Sequence, residues 1–497
     1  MKSATKIFIC FIICVLLITG CAPSRKRADS VIPQMTSDRG KDTDKATDKP
    51  SESTAEAEET NAPSTHKPAS TTTSKPDKVT QEDIEISEKE GVVSGKVKFT
   101  YSPAAQTSDD RAAAERFISA FEKKYKDVTV ERDYSNVSDA RIASADIGDV
   151  FFFADEHTYK YAVKDKALLP LDGFVEKFDI NLSDVYSGIY SLGLVNGRLY
   201  FVPINYNQVS LIYNKDAVTE AGVSEQVKPE WTWEEFQILC DHLNSEDYFP
   251  MQLQLSWSPV YTAFFEAYTQ RNSWCSTTDK KITFNDEAGD ILRAVKEALD
   301  LAWAGHVMIP GVNDSAAVFS GKEAIFATCV YPAVQAEGRA YDSKGIAWDL
   351  INMPLFQNPS FGCGASGVGV YSRTKNITAA AALALFFFTP EGQKAINEGQ
   401  GGSVPLLRSL DQEGYNAWKY PNDPDWSTKN WDAFVYRADY SSTPGQVKCR
   451  MPIEVAEAID SSIQKILKDD IAGIASYLDG FMALEIKCNN IWSQLNT

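Results

Sequence analysis

Few side chains in this sequence are spaced for covalent chemistry. The four histidines, at 66, 157, 242 and 306, form no pair four residues apart, so a helix-borne two-histidine zinc site is absent. There is no G-x-x-x-x-G-K-S/T loop, so any nucleotide hydrolysis belongs to a separate chain. Gly362-Cys363-Gly364-Ala365-Ser366-Gly367 spells G-x-G-x-x-G, but a dinucleotide site needs a helix behind it, and here Val368 to Ser372 reads as a strand. These glycines are expected instead to let the backbone approach a ligand or a neighbouring strand. Glu234 and Glu235 face different directions on one helix, and Glu235 is explained by a capping box with Thr232. Asn422, Asp423 and Asp425 lack the spaced glycine and terminal glutamate of a calcium loop and read as turn residues. The expectation is reversible recognition, with no cofactor and no metal.

The stretch that best fits recognition runs from Leu199 to Asp216. Two β-prone runs, Leu199 to Ile204 and Val209 to Asn214, flank a polar step at Asn205, Tyr206, Asn207 and Gln208. A single core strand should not carry four polar residues in a row. If the two runs belong to different sheets, the step is a crossover between lobes and its side chains face the crevice between them. The alternative, a tight hairpin, lacks the Asn-Gly or Gly-Xaa turn chemistry.

Upstream, Val97 to Tyr101, Val128 to Arg132 and Asp149 to Ala154 read as strands, and Asp109 to Lys126 as a helix with an apolar face at Phe117, Phe121 and Tyr125. Such alternation implies a parallel sheet, in which ligands bind beyond the carboxyl ends of the strands. That rule points to Tyr101-Ser102 and to Asp155, Glu156 and His157. Downstream, Met251 to Trp257 alternates as a strand, and a further strand is expected to reach Tyr331. Helices are expected at 232–243, 286–304, 377–388, 390–398, 453–467 and 474–492.

With 497 residues, two or three units are expected. The formal charge is −19; residues 1–94 hold 13 basic and 15 acidic side chains, a net −2, which leaves −17 on the remainder. A body this acidic repels phosphate backbones, so nucleic acid is not expected as a partner. At the start, Lys2 and Lys6 precede the apolar run Ile7 to Ile18, which fits the central region of a secretory signal. Residues 22–93 contain no aromatic side chain and are rich in Ser, Thr, Pro, Lys and acids, the composition of a disordered tether.

Two resemblances sharpen these expectations. Ile18-Thr19-Gly20-Cys21 resembles a bacterial lipobox, which implies cleavage before Cys21, lipidation of that cysteine, and anchoring at the outer face of the cell membrane. The series LYFVPINYNQVSLIYNKD, WTWEEF, FSGKEAIFA, NMP, VGVYSRTKN and FFFTPEGQKAINEGQGGSVP resembles the extracellular solute-binding proteins of ABC importers, in the sugar-binding branch that includes maltose-binding protein. The resemblance covers about residue 95 to the C-terminus. It implies an α/β, two-lobe fold of the periplasmic-binding-protein kind (type 2) with a hinge between the lobes, lobe I being 94–205 with 371–412 and lobe II 206–370 with 413–497. It also implies a monomer that passes a small-molecule ligand to permease subunits.

Carried over position by position, the resemblance places Phe153, Asp155, Glu156 and His157 against sugar in lobe I, Asn207 at a ligand-contacting hinge position, and Trp257 and Tyr331 in lobe II. Asn207 stands where maltose-binding protein has a carboxylate, and Tyr331 where a tryptophan usually stands, so maltose itself is in doubt as the ligand. The residue types suit a sugar, because a pyranose has an apolar C–H face for aromatic rings and a rim of hydroxyls for planar polar groups. The stretch 415–440 carries Trp418, Tyr420, Trp426, Trp431, Phe434 and Tyr436. It either walls the cleft, with Trp431 as platform, or packs onto lobe II. Past the signal and Cys21, the cysteines are Cys240, Cys275, Cys329, Cys363, Cys449 and Cys488; six allow fifteen pairings, and apolar neighbours at Cys240 and Cys329 suit buried free thiols. Alternatives to a sugar importer component are a surface-anchored carbohydrate-active enzyme, a binder of a non-sugar solute and a sensory receptor.

Overall fold

The structure is a computed structural model that describes residues 92–398, 403–442 and 450–495, all within one compact unit. The signal 1–21 with Cys21, the tether up to residue 91, and Cys449 lie outside the described residues.

The chain opens with β1 (Gly95–Thr100), α1 (Ser108–Lys124), β2 (Val128–Asp133) and β3 (Val150–Ala154). The Thr107 hydroxyl caps α1 by accepting from the Asp110 amide, and Phe117 and Phe121 bury the helix face that the four-residue spacing indicates. After short helical turns come β4 (Val202–Pro203), β5 (Asn207–Gln208) and β6 (Ser210–Asn214). There follow α2 (Trp233–Leu243), β7 (Tyr248–Gln252), α3 (Ser258–Phe265), α4 (Arg293–Trp303), β8 (Val307–Met308), β9 (Glu323–Cys329), α5 (Tyr331–Lys344) and β10 (Trp348–Asn352). The last part holds β11 (Phe361–Gly364), β12 (Ser366–Val370), α6 (Ile377–Leu385), α7 (Pro390–Asn397), α8 (Ile453–Ile471) and α9 (Tyr477–Gln494).

Two five-stranded sheets result, in the orders β2-β1-β3-β12-β4 for lobe I and β8-β7-β9-β6-β10 for lobe II. The two halves of the Leu199 to Asp216 stretch do sit in different sheets, β4 in one and β6 in the other. Between them β5 pairs antiparallel with β11, Gln208 opposite Cys363 and Asn207 opposite Gly364. Ser441–Ser442 pair with β11 as well, so the hinge is a small ribbon between the lobes.

Several expectations need correction. The sheets are mixed, not parallel throughout: β12 runs antiparallel to β3 and β4, and β6 antiparallel to β9 and β10. The return to lobe I occurs at Ser366, ahead of residue 371, because β12 fills the sheet between β3 and β4. The strand expected over 251–257 ends at Gln252; the alternation continues into a turn, where the Trp257 amide donates to the Gln254 carbonyl. Tyr331 starts a helix instead of ending a strand, with Pro332 in its first turn where a missing N–H costs nothing.

The hairpin reading fails, and the capping box is present: the Thr232 amide donates to Glu235 and the Glu235 amide to the Thr232 hydroxyl. In lobe I, Phe117 stacks on Phe387 at 3.8 Å, and α6, reading ITAAAALAL, is buried from Thr378 to Leu385 because its alanines let it press on the sheet. Lobe II buries Trp231, Trp233 and Trp274, with α8 and α9 packed on each other. Cys240, Cys329, Cys363 and Cys488 are buried free thiols, and Cys275 is buried as well.

Candidate functional site

The hinge ribbon gathers side chains from all parts of the chain. Asn207 sits on β5 with its Oδ1 buried and without a hydrogen-bond partner. A buried amide oxygen left unpaired costs free energy, so an occupant that donates to it recovers that cost. Asn205 accepts from the Ser366 amide at 3.2 Å and so ties the crossover to β12. Opposite Asn207, a Cβ on Gly364 would meet nothing within 4 Å, whereas one on Gly362 would lie 2.0 Å from the Pro259 carbonyl oxygen. The two glycines therefore do different work: Gly362 lets α3 abut the ribbon, and Gly364 leaves space beside Asn207.

That close approach brings the start of α3, and with it Trp257, beside the hinge. Trp257 is 39% exposed, so it is not a core residue. From lobe I, Asp155 is buried at the end of β3, near enough to add to the burial that drives the Cys363 thiol well above its usual range. Glu156 is exposed and faces lobe II: after burial and Asp460, its charge helps raise the Tyr261 hydroxyl on α3. His157 is half-buried, stacks on Tyr161 at 5.6 Å, and holds its buried Nδ1 without a hydrogen-bond partner.

Two expected contacts are displaced. Phe153 is only 5% exposed and packs against Phe151, Tyr161 and Phe201, so it completes the buried strand. Trp431 is 2% exposed, stacked on Tyr420 at 5.0 Å with its Nε1 donating to the Trp426 carbonyl, and has no face for a ligand. Tyr331 is 6% exposed and its hydroxyl donates to the Trp418 carbonyl at 2.7 Å, which ties α5 to the aromatic segment.

That segment packs on lobe II: the Lys429 ammonium donates to the Trp348 carbonyl, and the Asn430 amide to Asp349 on β10. It also walls a cavity of about 530 Å³, lined by Tyr331, Trp418, Tyr420 and Trp426 together with Arg339 and Glu398. Arg339 and Glu398 carried no signal in the sequence, since each is a single charged residue on a helix or at its end. A smaller cavity of about 120 Å³ lies in lobe I, between Tyr101, Phe152, Asn205 and Ser403. The Tyr101 hydroxyl there is driven up from its ordinary value mainly by burial. Among the described residues there is no group of His, Cys, Asp and Glu side chains able to hold a metal ion, and no helix long and apolar enough to cross a membrane.

The hinge region thus holds an exposed indole at Trp257 and an unpaired amide oxygen at Asn207, with the Asp155 and Glu156 carboxylates just past the end of β3. Solved structures share the architecture. The sugar-binding protein MalE from Xanthomonas citri superposes with a TM-score of 0.63 at 18% identity, over 81% of this chain and 98% of that one. The cyclic α-maltosyl-1,6-maltose binding protein from Arthrobacter globiformis gives 0.63 at 18% identity, over 81% and 100%. UgpB from Mycobacterium tuberculosis, in complex with glycerophosphocholine, gives 0.58 at 15% identity, over 81% and 100%. The family model described as bacterial extracellular solute-binding protein matches residues 104–394, more than half of the sequence, and the chain belongs to that family.

Proposed function

We propose that this protein is the ligand-capturing component of an ABC importer: it closes on a sugar or oligosaccharide between its lobes and delivers it to permease subunits. The observation that carries this reading is the hinge: Asn207 Oδ1 on the β5–β11 ribbon is buried and unpaired, and Trp257, just ahead of the helix that abuts the ribbon, is exposed. A ligand that contacts both lobes there favours closure, because its affinity for the closed form exceeds that for the open one. Asp155, Glu156 and His157 complete the set from lobe I. It acts as a monomer without catalysis, held at the extracytoplasmic face of the membrane by a lipid on Cys21 and lifted off by the tether. The fold neighbours named for sugars support the ligand class; the glycerophosphocholine complex shows that the same fold also takes other solutes.

Thermal-shift screening of the tether-free body against a panel of mono- and oligosaccharides tests it, since a ligand at 100 times its Kd stabilises by about 2.7 kcal/mol. Stabilisation with the sugar recovered intact is the expected result. Turnover of the sugar would favour the surface enzyme, and stabilisation only by non-sugar solutes would overturn the ligand class. For the anchor, Cys21→Ser is expected to release the protein from the membrane pellet with its body folded.

A further inference from the structure

Helix α9 is apolar on two faces. One face, Phe481, Leu484, Cys488 and Trp492, is buried, with α8 packed on the helix. The other, Leu478, Met482 and Ile486 at four-residue spacing, is exposed, and Ile474 just ahead of the helix continues it. Trp303 borders its start: the indole Nε1 donates to one Asp470 oxygen at 3.4 Å, and the Tyr477 amide donates to the other at 2.8 Å. Of the eleven large apolar side chains exposed among the described residues, these make up five. Single exposed hydrophobics are ordinary on a protein surface, but a run of them along a helix whose opposite face is already buried marks a contact surface.

The charges on that face indicate what covers it. Asp479 and Lys487 are both exposed, and neither forms an ion pair among the described residues. They stand eight residues apart, about 12 Å along the axis, too far to meet within the helix. Glu485, the other acid of α9, is half-buried and accepts from the Phe284 and Asn285 amides. The exposed face is therefore locally neutral on a body with a large excess of acid. A second copy of the helix laid antiparallel, with the two-fold between Met482 and Ala483, puts Asp479 of each copy opposite Lys487 of the other. The same operation sets Leu478 opposite Ile486 and leaves Met482 and Ala483 facing their own counterparts, so the face is complementary to itself. A parallel arrangement would set acid on acid and base on base. Ala483, small and at the crossing point, lets the two ridges of four-residue spacing interdigitate.

We infer that two copies of this chain associate through α9, antiparallel, with Leu478, Met482 and Ile486 at the centre and Ile474 and Trp303 at the margin. Ile474, Ile486 and Trp303 are 73%, 62% and 59% exposed and Leu478 and Met482 45% each, which offers roughly 500 Å² per copy. A pair then buries about 1,000 Å² in all, the low end for a specific interface, so the association is weak and reversible. No residue assigned to the cleft lies on α9. Each copy captures its ligand as a complete single-chain unit, and the pairing joins two such units whatever the ligand is.

Sedimentation velocity of the unlipidated chain from residue 22 onward, over a range of concentrations, tests the inference. A reversible monomer–dimer equilibrium is expected, with a Kd between about 1 and 300 μM. Met482→Glu places two carboxylates at the two-fold and is expected to weaken the dimer at least about tenfold. Asp479→Lys and Lys487→Asp each set like charges opposite one another, and each alone is expected to weaken the dimer at least about threefold at low salt. The two together restore the opposite pairing and are expected to return the parent Kd. All three positions are exposed, and unchanged melting curves check that the variants fold. A monomer at every concentration up to about 300 μM would overturn the inference. So would a dimer indifferent to Met482→Glu, or a double variant no tighter than the single ones.

Discussion

Lys164 and Glu454, 290 residues apart, form an ion pair of 2.7 Å between the lobes. Lys164 lies just beyond β3 in lobe I, and Glu454 is in the first turn of α8 in lobe II, where the helix N-terminus also favours its charge. The hydrogen bond from Lys164 is the largest cause that holds the Glu454 carboxyl below its usual range.

Both partners are substantially exposed, so the pair is worth at most about 1 kcal/mol. Glu454→Gln is expected to expand the ligand-free protein slightly in small-angle scattering, and 1 M salt to do the same to the parent. The sign with pH follows: a carboxyl whose pKa is depressed by its partner stabilises the paired form above its usual range, and the contribution fades as pH falls through the lowered value. No change in radius of gyration in Glu454→Gln would show that the pair does not bias closure.

Asn207 and Trp257 should separate binding from folding. The Asn207 Oδ1 has no partner to lose and Trp257 is exposed, so alanine at either is expected to leave the melting temperature within a few degrees. Trp257→Ala should cost roughly 1–3 kcal/mol of ligand affinity, in the range of binding hot spots. Trp431→Ala should do the reverse, costing about 3–5 kcal/mol of stability by opening a cavity under Tyr331 and Tyr420. Paired calorimetry and melting curves read both quantities.

Glu337 on α5 gives a pH signature. Burial raises its carboxyl to about 7 against the opposing hydrogen bond from the Cys329 thiol. A raised value means the folded protein holds the proton more tightly than the unfolded chain, so the stability it contributes is full below the ordinary carboxylate range and is lost as pH rises through about 7. Glu337→Gln is expected to be more stable than the parent at pH 8 and to flatten the pH dependence of urea midpoints between about 4.5 and 7. Parallel midpoint curves for the two proteins would refute this.

Gly362→Ala should damage the hinge. The new methyl would sit 2.0 Å from a backbone oxygen, which cannot yield as a side-chain end can. A loss of about 1–3 kcal/mol or more is expected from overpacking. Gly364→Ala, at the open position two residues on, should cost much less stability, and any loss of affinity there would place it against the ligand. Denaturant titration of both variants decides.

Much of this was legible in residue patterns. Four polar residues between two apolar runs required a change of sheet, and the crossover at Asn207 is one. Thr232 and Glu235 fixed a helix start through a local contact. Trp431 was not legible, because six aromatics in one segment are equivalent until packing decides which lies deepest. Met251 to Trp257 failed for a related reason: alternation persists into the turn, and only the missing partner strand ends β7 at Gln252. Arg339 and Glu398 meet only through tertiary structure, so no local pattern could have paired them.

The strand order carries a consequence for how the chain is made. β12 fills the gap between β3 and β4, yet it is synthesised long after either. On the ribosome, lobe I therefore emerges with its sheet split, and lobe II stays without α8 and α9 until residues 453–494 appear. Neither lobe is a contiguous piece of sequence, so a break in the gene at the hinge yields two fragments that each lack part of their own core.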